Sequence, residues 1–521
     1  MRLRSTLTAP YKTHHSLLIT RYPTSNMTNR PNILWYCTDQ QRFDTIGALG
    51  NPYVSTPTLD RLVAEGTAFT HAYCQSPICT PSRSSYMTGL YPSRLHNSRN
   101  GNESFPAESP PLISKLIAEA GYNCGMIGKF HLQSSGHRTE PRLDDGYRYW
   151  KFSHAPRDDW PHGHDYADWV REQGGDLDEQ RNSDDRMPPD LHQTQWASDC
   201  AIEFISEPRD QPWMLTLNVY DPHPPFIPPR SYAERFDPES LPGPYFRESD
   251  LAEQERLKTV DFQSTAHRPK EFDGKKQQAL YYAMIAQIDD QFARILDHLE
   301  QTGQRENTAI VFTSDHGEML GDHGLLYKGC RFYEGLVRVP LIFSWPGQIQ
   351  SGLQSHALVE LLDKSATLLE LAGVPIPDYF QGKSLLPILR AESSADHHRD
   401  FVRCEYYDAL DAAFVGTGSP DKPNESPNSS EKGQHLIGVC PPVAVPTGTY
   451  GIMYRDKRYK ISVYHGHNRG ELYDLESDPW EFDNLWDDPL QQSLKCELLL
   501  KNFDAAMLTG IDVGTRRIAP M

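Results

Sequence analysis

The stretch CTPSRSSYMTG, which runs from Cys79 to Gly89, is the most informative segment of this 521-residue sequence. Proline, here Pro81, is favoured in a first helical turn, and serine, here Ser82, is favoured near a helix cap. Cys79 is therefore expected at or just before a helix N-terminus. At such a position the helix dipole and the free backbone N–H groups favour an anion. If only the cysteine and the proline mattered, a buried cysteine beside a capped helix would be the simpler interpretation.

Strand-like and helical patterns alternate on both sides of this stretch. The predicted strands span 32–38, 122–128, 213–220 and 308–313, and the predicted helices span 57–65, 111–121 and 275–301. The last helix keeps its apolar residues at a period of about 3.6 residues. Such alternation implies an α/β fold, with a large, mostly parallel central sheet flanked by helices. In such sheets ligands bind beyond the carboxyl ends of the strands.

The chain is too long for one core of the usual size, so one large and one smaller domain are expected. The expected segments are an extension at 1–30, disordered or mis-assigned with Met27 as an alternative start; a main α/β domain at 31–405; a polar insertion at 406–448; and a small α+β subdomain at 449–521. Within the subdomain, 450–464 and 470–475 predict antiparallel strands and 489–508 predicts a helix. Residues 150–192 and 221–275 show little periodicity and predict long loops over a site.

The formal net charge of −19 argues against nucleic acid or an anionic membrane as a partner, because such binding depends on clustered Lys and Arg. A local basic pocket can still bind an anionic substrate, since charges beyond about 8 Å are largely screened at physiological salt. No apolar run approaches the ~20 residues that span a bilayer. The first thirty residues lack the apolar core of about 7–15 residues of a secretory signal. We therefore expect a cytoplasmic protein.

The nine cysteines show no CxxC pairs and no regular spacing. An odd, scattered set predicts neither a disulfide framework nor a zinc site. Cys37, Cys124 and Cys200 lie in apolar surroundings and are expected to be small buried hydrophobes. Cys79, in its polar motif, is different.

The segment from Cys79 to Gly89 resembles the type I sulfatase signature C-x-P-S-R-x-x-x-(L/M)-T-G at every defined position. The similarity continues through Leu90-Tyr91-Pro92, and so long a match at fixed spacing is specific. The resemblance implies an alkaline phosphatase-like fold. It also implies that a dedicated maturation enzyme oxidises Cys79 to formylglycine (3-oxoalanine), guided by the rest of the motif.

Two polar pairs directly follow predicted strands, namely Asp39-Gln40 and Asp315-His316. Alone, each pair could be a turn with a capping aspartate. Together with Cys79, they resemble the single divalent-metal site of sulfatases. The resemblance implies Asp39, Gln40, Asp315, His316 and the formylglycine as metal ligands. An open, oxygen-rich site suits Ca²⁺, while the imidazole leaves Mn²⁺ and Mg²⁺ open.

Many sulfatases have Asp-Asp in the first pair and Asp-Asn in the second. Gln40 and His316 are closer to variants in phosphonate monoester hydrolases, choline sulfatases and some glycan sulfatases. This departure puts the substrate in doubt rather than the chemistry.

Three further segments occur in the order typical of the family. They are Gly128-Lys129-Phe130-His131, the run from Asp221 to Phe226, and Lys328-Gly329 ahead of Tyr333-Glu334-Gly335. A single Lys or His in a loop is usually solvated, but three such segments in order are not expected by chance. The resemblance implies that Lys129, His223 and Lys328 contact the sulfate group and that Arg83 orients the nucleophile. His223, helped by Lys328, would protonate the leaving alcohol, and His131 would deprotonate the second formylglycine hydroxyl.

The expected function is hydrolysis of a sulfate ester on a saccharide, as in glycan catabolism. A phosphonate or phosphate ester hydrolase on the same fold is the main alternative. A bimetallic phosphatase would need ligands for a second ion, and no convincing set is present. Choline or aryl sulfate as substrate, and a non-catalytic protein that binds sulfated ligands, are further alternatives. The oligomeric state stays open, and the loop residues Arg157, Trp160, His162, His164 and Arg230 are candidates to grip a sugar or a carboxylate.

Overall fold

The computed structural model describes residues 30–97, 100, 104–135, 138–182, 187–260, 265–407 and 449–510. Residues 1–29 of the predicted extension and 408–448 of the predicted insertion lie outside the described residues. The strands are β1 (Asn32–Thr38), β2 (Thr67–Tyr73), β3 (Asn123–Gly128), β4 (Tyr149–Phe152), β5 (Trp213–Asn218), β6 (Thr308–Ser314), β7 (Arg338–Val339), β8 (Leu341–Ser344), β9 (Leu353–Glu360), β10 (Val402–Tyr407), β11 (Tyr450–Arg455), β12 (Tyr459–His465) and β13 (Arg469–Asp474).

Short helices cover much of the chain between these strands. The α-helices are α1 (Pro57–Glu65), α2 (Cys79–Thr88), α3 (Pro92–Leu95), α4 (Ile113–Glu119), α5 (Asp165–Glu172), α6 (Leu177–Asn182), α7 (Gln193–Ser206), α8 (Arg230–Ala233), α9 (Glu248–Arg256), α10 (Gly274–Gln301), α11 (Glu334–Val337), α12 (Leu361–Leu371), α13 (Leu386–Leu389) and α14 (Gln492–Gly510). In the described part of the chain, no helix combines the length and apolar character needed to cross a membrane.

The central sheet has nine strands in the order β4-β3-β5-β1-β6-β8-β2-β7, with β9 paired to β2. Strands β4, β3, β5, β1 and β6 are mutually parallel, and the antiparallel pairings lie beyond β6. The predicted α/β class with a mostly parallel sheet is therefore confirmed. Because β3, β5, β1 and β6 run side by side, the loops after their carboxyl ends meet at one edge.

Strand β1 shows why this sheet carries helices on both faces. Side chains alternate between the faces of a strand, and both sets in β1 are apolar. Ile33, Trp35 and Cys37 pack in one core with residues of α2, α4 and α12. Leu34 and Tyr36 pack in the opposite core with residues of α1, α7 and α10. An apolar run without polar alternation thus marks a strand buried on both sides.

A second sheet has four antiparallel strands in the order β10-β11-β12-β13. Helix α14 packs on it through residues such as Leu498 and Ala505. Its first strand, Val402–Tyr407, pairs with Tyr450–Arg455, so the expected boundary after residue 405 falls inside a strand. No short turn could mark these two strands as partners, since 42 residues separate the end of β10 from the start of β11.

The two segments predicted as long loops contain short helices. Helix α5 lies in the first segment, and its N-cap residue His164 accepts a hydrogen bond from the Ala167 N–H. Helix α9 lies in the second, where Asp250 accepts the N–H of Arg247. Such caps satisfy the free N–H groups of a helix start, which lets a polar segment without clear periodicity form short helices.

Candidate active site

Four loops converge where the parallel strands end. Asp39 directly follows β1, Lys129 follows β3, Asp221 lies shortly after β5, and Asp315 follows β6. Backbone hydrogen bonds join these loops: the Asp39 N–H donates to the Asp221 carbonyl at 3.2 Å and the Asp315 N–H to the Thr38 carbonyl at 3.3 Å. The strand order therefore brings together side chains that are far apart in the sequence.

Helix α2 places Cys79 at this edge. The helix begins at Cys79, as the sequence predicts, and all ten of its residues are buried. The Ser82 hydroxyl donates to the Asp315 carbonyl at 2.6 Å, which ties the first helical turn to the β6 loop. Gly89 ends the helix with φ 79°, and a Cβ there would lie 2.0 Å from the Phe380 ring. The motif thus fixes both ends of the helix that carries the cysteine.

Asp39, Cys79, Asp315 and His316 form a buried group whose ligand atoms all lie within 4.8 Å of one another. The His316 Nδ1 lies 2.8 Å from the Gly317 carbonyl, so it acts as the donor, and Nε2 is left with its lone pair. That Nε2 lies 3.2 Å from the Cys79 sulfur. A backbone carbonyl that fixes the tautomer of a metal-ligating histidine is a common support in metal sites. The group fits one divalent cation, and the Cys79 sulfur is one of its four ligand atoms.

Arg83 lies directly beneath this group. Its guanidinium donates to Asp315 at 2.8 Å, to Asp39 at 3.2 Å and to the Lys129 carbonyl at 2.8 Å. The resemblance to sulfatases implies that Arg83 orients the nucleophile. In the structure its side chain holds the two carboxylates, and it lies on the same helix as Cys79.

The ionised state of Asp39 depends on these cations. Burial and the Cys79 sulfur act to raise the pKa of Asp39, but Lys129, His223 and Arg83 hold that pKa below its ordinary value. The Lys129 Nζ lies 2.5 Å from the carboxylate. A carboxylate kept ionised in a buried place is suited to bind a metal ion.

Gln40 lies between the metal-ligand group and a lysine. Its backbone is left-handed, with φ 70°, and its N–H donates to Asp315 at 3.0 Å. The side-chain oxygen accepts from Lys328 Nζ at 2.8 Å, while the amide nitrogen donates to Glu318. The oxygen therefore points into the site, and Glu318 fixes which way the amide faces.

Glu318 is a site residue to which the sequence assigns no role. It is fully buried, and its other oxygen accepts the N–H of Leu320 at 2.9 Å and that of Tyr327. One carboxylate thus orients the Gln40 amide and holds the residue before Lys328. The sequence shows Glu318 close to the predicted metal ligands Asp315 and His316. Its contacts with Gln40 and Tyr327 could not be predicted, because these residues are not adjacent to it in the sequence.

Two lysines and a histidine surround the Cys79 sulfur. Lys328 Nζ lies 2.8 Å from it and Lys129 Nζ 3.5 Å from it. Burial raises the pKa of the Cys79 thiol, but Lys129, Lys328 and His316 outweigh burial and place the pKa well below its ordinary value. The centre is therefore built to hold negative charge.

His223 and His131 flank this centre on the outer side. The His223 Nδ1 lies 2.6 Å from the Pro224 carbonyl and Nε2 lies 2.9 Å from Lys328 Nζ, so Nε2 accepts from the lysine. Burial, together with Lys328, lowers the pKa of His223 to about 4. Burial, together with Lys129, lowers the pKa of His131 to about 4, although the nearby Cys79 opposes this shift. Both rings are therefore neutral near pH 7.

Of the predicted site residues, the structure brings all ten to this edge of the sheet. They are Asp39, Gln40, Cys79, Arg83, Lys129, His131, His223, Asp315, His316 and Lys328, all buried.

Two aromatic residues without a predicted role, His154 and Tyr220, complete the outer side. The ring centroids of His131 and His154 are 4.8 Å apart, those of His154 and Tyr220 6.1 Å, and those of Tyr220 and His223 4.6 Å. These four rings are called the aromatic wall below.

The fold and the site together define a hydrolase of anionic esters, with a buried group of metal-ligand type at its centre. A family model described as Sulfatase matches residues 31–374. The chain belongs to the sulfatase family.

Curated relatives cover most of the chain. An arylsulfatase of Clostridium perfringens is 32% identical over 400 residues, covering 72% of this chain and 82% of that protein. An N-acetylglucosamine-6-O-sulfatase of Bacteroides thetaiotaomicron is 27% identical, covering 89% of this chain and 84% of that protein.

Solved structures show the same architecture. The phosphonate monoester hydrolase of Agrobacterium radiobacter superposes with a TM-score of 0.72 at 25% identity, covering 93% of this chain and 96% of that chain. The alkaline phosphatase-like fold that the motif implies is therefore confirmed.

Proposed function

We propose that this protein removes sulfate from a sulfated saccharide through a formylglycine at position 79 and one divalent cation. The observation that carries the proposal is the surroundings of the Cys79 sulfur. Within 3.5 Å of this sulfur lie Lys328, Lys129 and the His316 imidazole. The sulfur also belongs to the buried group of candidate metal ligands. A sulfate ester is a compact anion with three charged oxygens, which matches a centre lined by cations on one side and metal ligands on the other.

Asp39, Gln40, Asp315 and His316 would hold the cation, together with the oxygen of the modified residue 79. Three of these four side chains offer oxygen, which favours a hard cation, with Ca²⁺ ahead of Mn²⁺ and Mg²⁺. When bound, the ion would supply positive charge that stabilises the transferring sulfuryl group. Arg83 keeps the two carboxylates in place for it.

A maturation enzyme would oxidise Cys79 to formylglycine. Once hydrated, the aldehyde supplies one hydroxyl as nucleophile and a second whose deprotonation lets sulfate leave without water having to attack sulfur. Lys129 and Lys328 bind sulfate oxygens on either side of residue 79. Since the site is buried, these charges act in a medium of low polarity, where they stabilise an anion strongly.

Protonation of the leaving alcohol is assigned to His223 and Lys328. The hydrogen bond between them runs from the Lys328 ammonium to the His223 Nε2, so the pair shares the proton of the lysine. His223 passes this proton to the leaving oxygen, and the tautomer is held by the Pro224 carbonyl. Such general acid catalysis typically contributes about 10²–10⁴-fold to a rate.

We assign to His131 the role of the base that deprotonates the second hydroxyl of the hydrated formylglycine. Its ring lies close to Cys79 and is neutral near pH 7, as a base must be. Within the described part of the chain, its Nδ1 is buried and has no hydrogen-bond partner. The ring is therefore not committed to one tautomer and can take up a proton.

The saccharide is the least constrained part of the proposal. Support comes from the N-acetylglucosamine-6-O-sulfatase, which aligns over 89% of this chain. The aromatic wall also supports it, since flat rings beside a polar centre are suited to contact a sugar face.

Hydrolysis of phosphonate or phosphate esters is the second candidate. The observation that favours it is the pair Gln40 and His316, together with the superposition on a phosphonate monoester hydrolase. Initial rates on an aryl sulfate and on the matching aryl phosphonate ester separate the two. A higher kcat/KM for the sulfate supports the proposal, and a higher value for the phosphonate contradicts it.

The nucleophile is tested by replacing Cys79. Protein produced together with a formylglycine-generating enzyme should release sulfate, and Cys79→Ala and Cys79→Ser should not. Cys496→Ser is the matched control, because Cys496 is exposed on α14. Normal turnover in the Cys79 variants would contradict the proposal.

A further inference from the structure

We propose that Arg138 and Arg157 form a subsite beside the aromatic wall that binds a second anionic group of the substrate. The group would be a carboxylate or an additional sulfate on the saccharide that leaves with the alcohol oxygen. This inference rests on the proposed function and narrows its substrate class.

The two arginines meet at one carboxylate. Arg138 Nε and Arg157 Nη2 both lie 2.9 Å from Oδ2 of Asp159. Each arginine side chain is 30% exposed, so both are open to a ligand. Two guanidinium groups around one carboxylate leave a net positive charge. Each guanidinium has five N–H donors, and the contact with Asp159 engages one nitrogen of each, which leaves donors for another anion.

Two short loops connect this arginine pair to the aromatic wall. In the first loop, the Arg138 N–H donates to the Ser135 carbonyl at 2.9 Å, and the Ser135 hydroxyl lies 3.3 Å from the His154 Nε2. The His154 ring in turn packs edge-on against His131. The backbone at Arg138 is thus joined to His131, the base assigned above, through Ser135 and the His154 ring.

The second loop carries Arg157 and Asp159. Asp159, which both guanidinium groups contact, directly precedes Trp160, and the ring centroids of Trp160 and His154 are 5.6 Å apart. At the same wall, Lys129 Nζ lies 5.3 Å from the centre of the Tyr220 ring. The carboxylate that holds both arginines is therefore joined to the aromatic wall through the next residue in the chain.

The second loop is held in place by buried contacts. The Gln193 side chain donates to the Ser153 hydroxyl at 2.8 Å and to the His154 carbonyl at 2.7 Å. The His154 N–H donates to the His164 Nε2 at 3.2 Å. Exposed ion pairs by themselves contribute little stability, so a fixed loop that displays two arginines at the edge of a site is better explained by ligand binding than by folding.

Arg230 differs in its surroundings from Arg157, although the sequence names both as candidates to grip a sugar or a carboxylate. Its side chain is 66% exposed and pairs with Glu234 one helical turn later at 2.8 Å. It is therefore the matched control for the arginine pair.

The anion that fits is planar or tetrahedral with at least two oxygens. Guanidinium groups bind carboxylates and sulfate-like anions through paired N–H donors, a geometry that lysine cannot reproduce. A sulfated saccharide with a uronate or with a second sulfate carries such a group at a sugar's distance from the scissile ester.

The test compares three substrates of one saccharide scaffold: a monosulfated sugar, the same sugar with a second sulfate, and a monosulfated disaccharide with a uronate. Wild-type protein with the aldehyde verified is compared with Arg157→Ala, Arg138→Ala, Arg157→Lys and Arg230→Ala. Either alanine variant should lose roughly 10- to 100-fold in kcat/KM on the better of the two doubly anionic substrates, mostly through KM. The same variants should stay within about twofold of wild type on the monosulfated sugar.

Arg157→Lys should recover only part of the loss, and Arg230→Ala should change nothing. The doubly anionic substrate that shows the effect identifies the anion as carboxylate or sulfate. An equal loss on all three substrates, or no loss on any, would overturn the inference.

Failure of the proposed function would look different. Wild-type protein that carries the aldehyde would then release sulfate from none of the three. The subsite would still be judged by calorimetric binding of the same compounds to wild type and Arg157→Ala. Weaker binding of the doubly anionic compounds alone supports the subsite, and equal binding contradicts it.

Discussion

Two regions of this molecule bury several charges, and they differ in how the charges are arranged. Around Cys79, Lys129 and Lys328 both contact the cysteine sulfur, and Lys129 also pairs with Asp39. Where the C-terminal sheet meets the main one, Glu334, Lys460 and Glu481 pair with one another, with Lys460 Nζ 3.1 Å from Glu334 and in contact with Glu481.

In the second region, the charged side chains form ion pairs with one another. We call this region the closed cluster, and it consists of Glu334, Arg338, Arg455, Lys460 and Glu481. Burial raises the pKa of Glu334, but Lys460, Arg455 and Arg338 hold it below its ordinary value. Its three cations are all engaged with its two carboxylates. The comparison indicates that cations that converge on a residue other than an acid mark a site that expects an anion, whereas cations whose charged partners are all acids mark a structural joint.

The largest expected effect is in the open region. Lys328→Ala removes the cation closest to residue 79 and the hydrogen-bond donor of His223. We expect kcat to fall roughly 10²–10⁴-fold, with the free energy of unfolding unchanged or slightly raised because a buried charge is lost. Sulfate release and urea denaturation measure the two quantities. A large loss of stability with kcat unchanged would place Lys328 with the structural charges.

The matching change in the closed cluster is Lys460→Met. It leaves Glu334 and Glu481 without their shared cation, and breaking a buried pair in this way costs about 3–5 kcal/mol of unfolding free energy. The kcat of the folded fraction should stay near the wild-type value. If kcat falls with little change in stability, the division between the two regions is wrong.

Glu318 tests whether a buried carboxylate outside the metal-ligand group supports it. Glu318→Gln removes the charge that orients the Gln40 amide, and such supporting residues typically cost about 10–100-fold in metal affinity or activity. The expected result is weaker metal binding, measured by competition with a chelator. Glu481→Gln is the control from the closed cluster, and it should leave metal affinity unchanged. Equal effects of both changes would contradict the account.

The smallest effect concerns Glu140, which accepts the N–H of His131 at 2.9 Å and that of Leu132 at 2.7 Å. Burial raises its pKa from 4.5 to about 7, although these N–H groups oppose the rise. Because the folded pKa exceeds the unfolded one, its stabilising contribution is present below about pH 4.5 and is lost as the pH rises to about 7.

Unfolding free energies of wild type and Glu140→Gln across this pH range check the sign. The wild type should lose about 1–2 kcal/mol relative to the variant between about pH 4.5 and pH 8. The exposed Glu119→Gln serves as control and should show no such change. A difference of opposite sign would mean that the loop of His131 is held by the ionised carboxylate.

The fold could be predicted because its signals are local. The run Ile33–Cys37 is apolar on both faces, and α10 keeps its helical period, so strand and helix follow from the residues themselves. Strand β10 could not be assigned to the C-terminal sheet, because its partner begins 42 residues further on, at Tyr450. The short helices α5 and α9 were missed because they have only 8 and 9 residues, too few turns for a helical period to stand out.

The site was predictable where a motif fixes residue types at fixed spacing. Cys79, Asp39 and Asp315 follow from such motifs and from their places at strand ends. Glu318 and Arg138 could not be assigned, and Arg157 was only one of several candidates to grip a sugar or a carboxylate, since these roles depend on contacts between loops that no local pattern encodes. The same holds for the side chain of Arg83, whose contacts with the carboxylates appear only in three dimensions.

The central claim is that residue 79, as an aldehyde among these cations, performs sulfate-ester hydrolysis. The most direct measurement relates the fraction of peptide carrying the aldehyde, from mass spectrometry, to sulfate released per enzyme across preparations of different maturation. We predict turnover proportional to that fraction and no turnover when it is zero. Turnover that is independent of the aldehyde fraction would contradict the account.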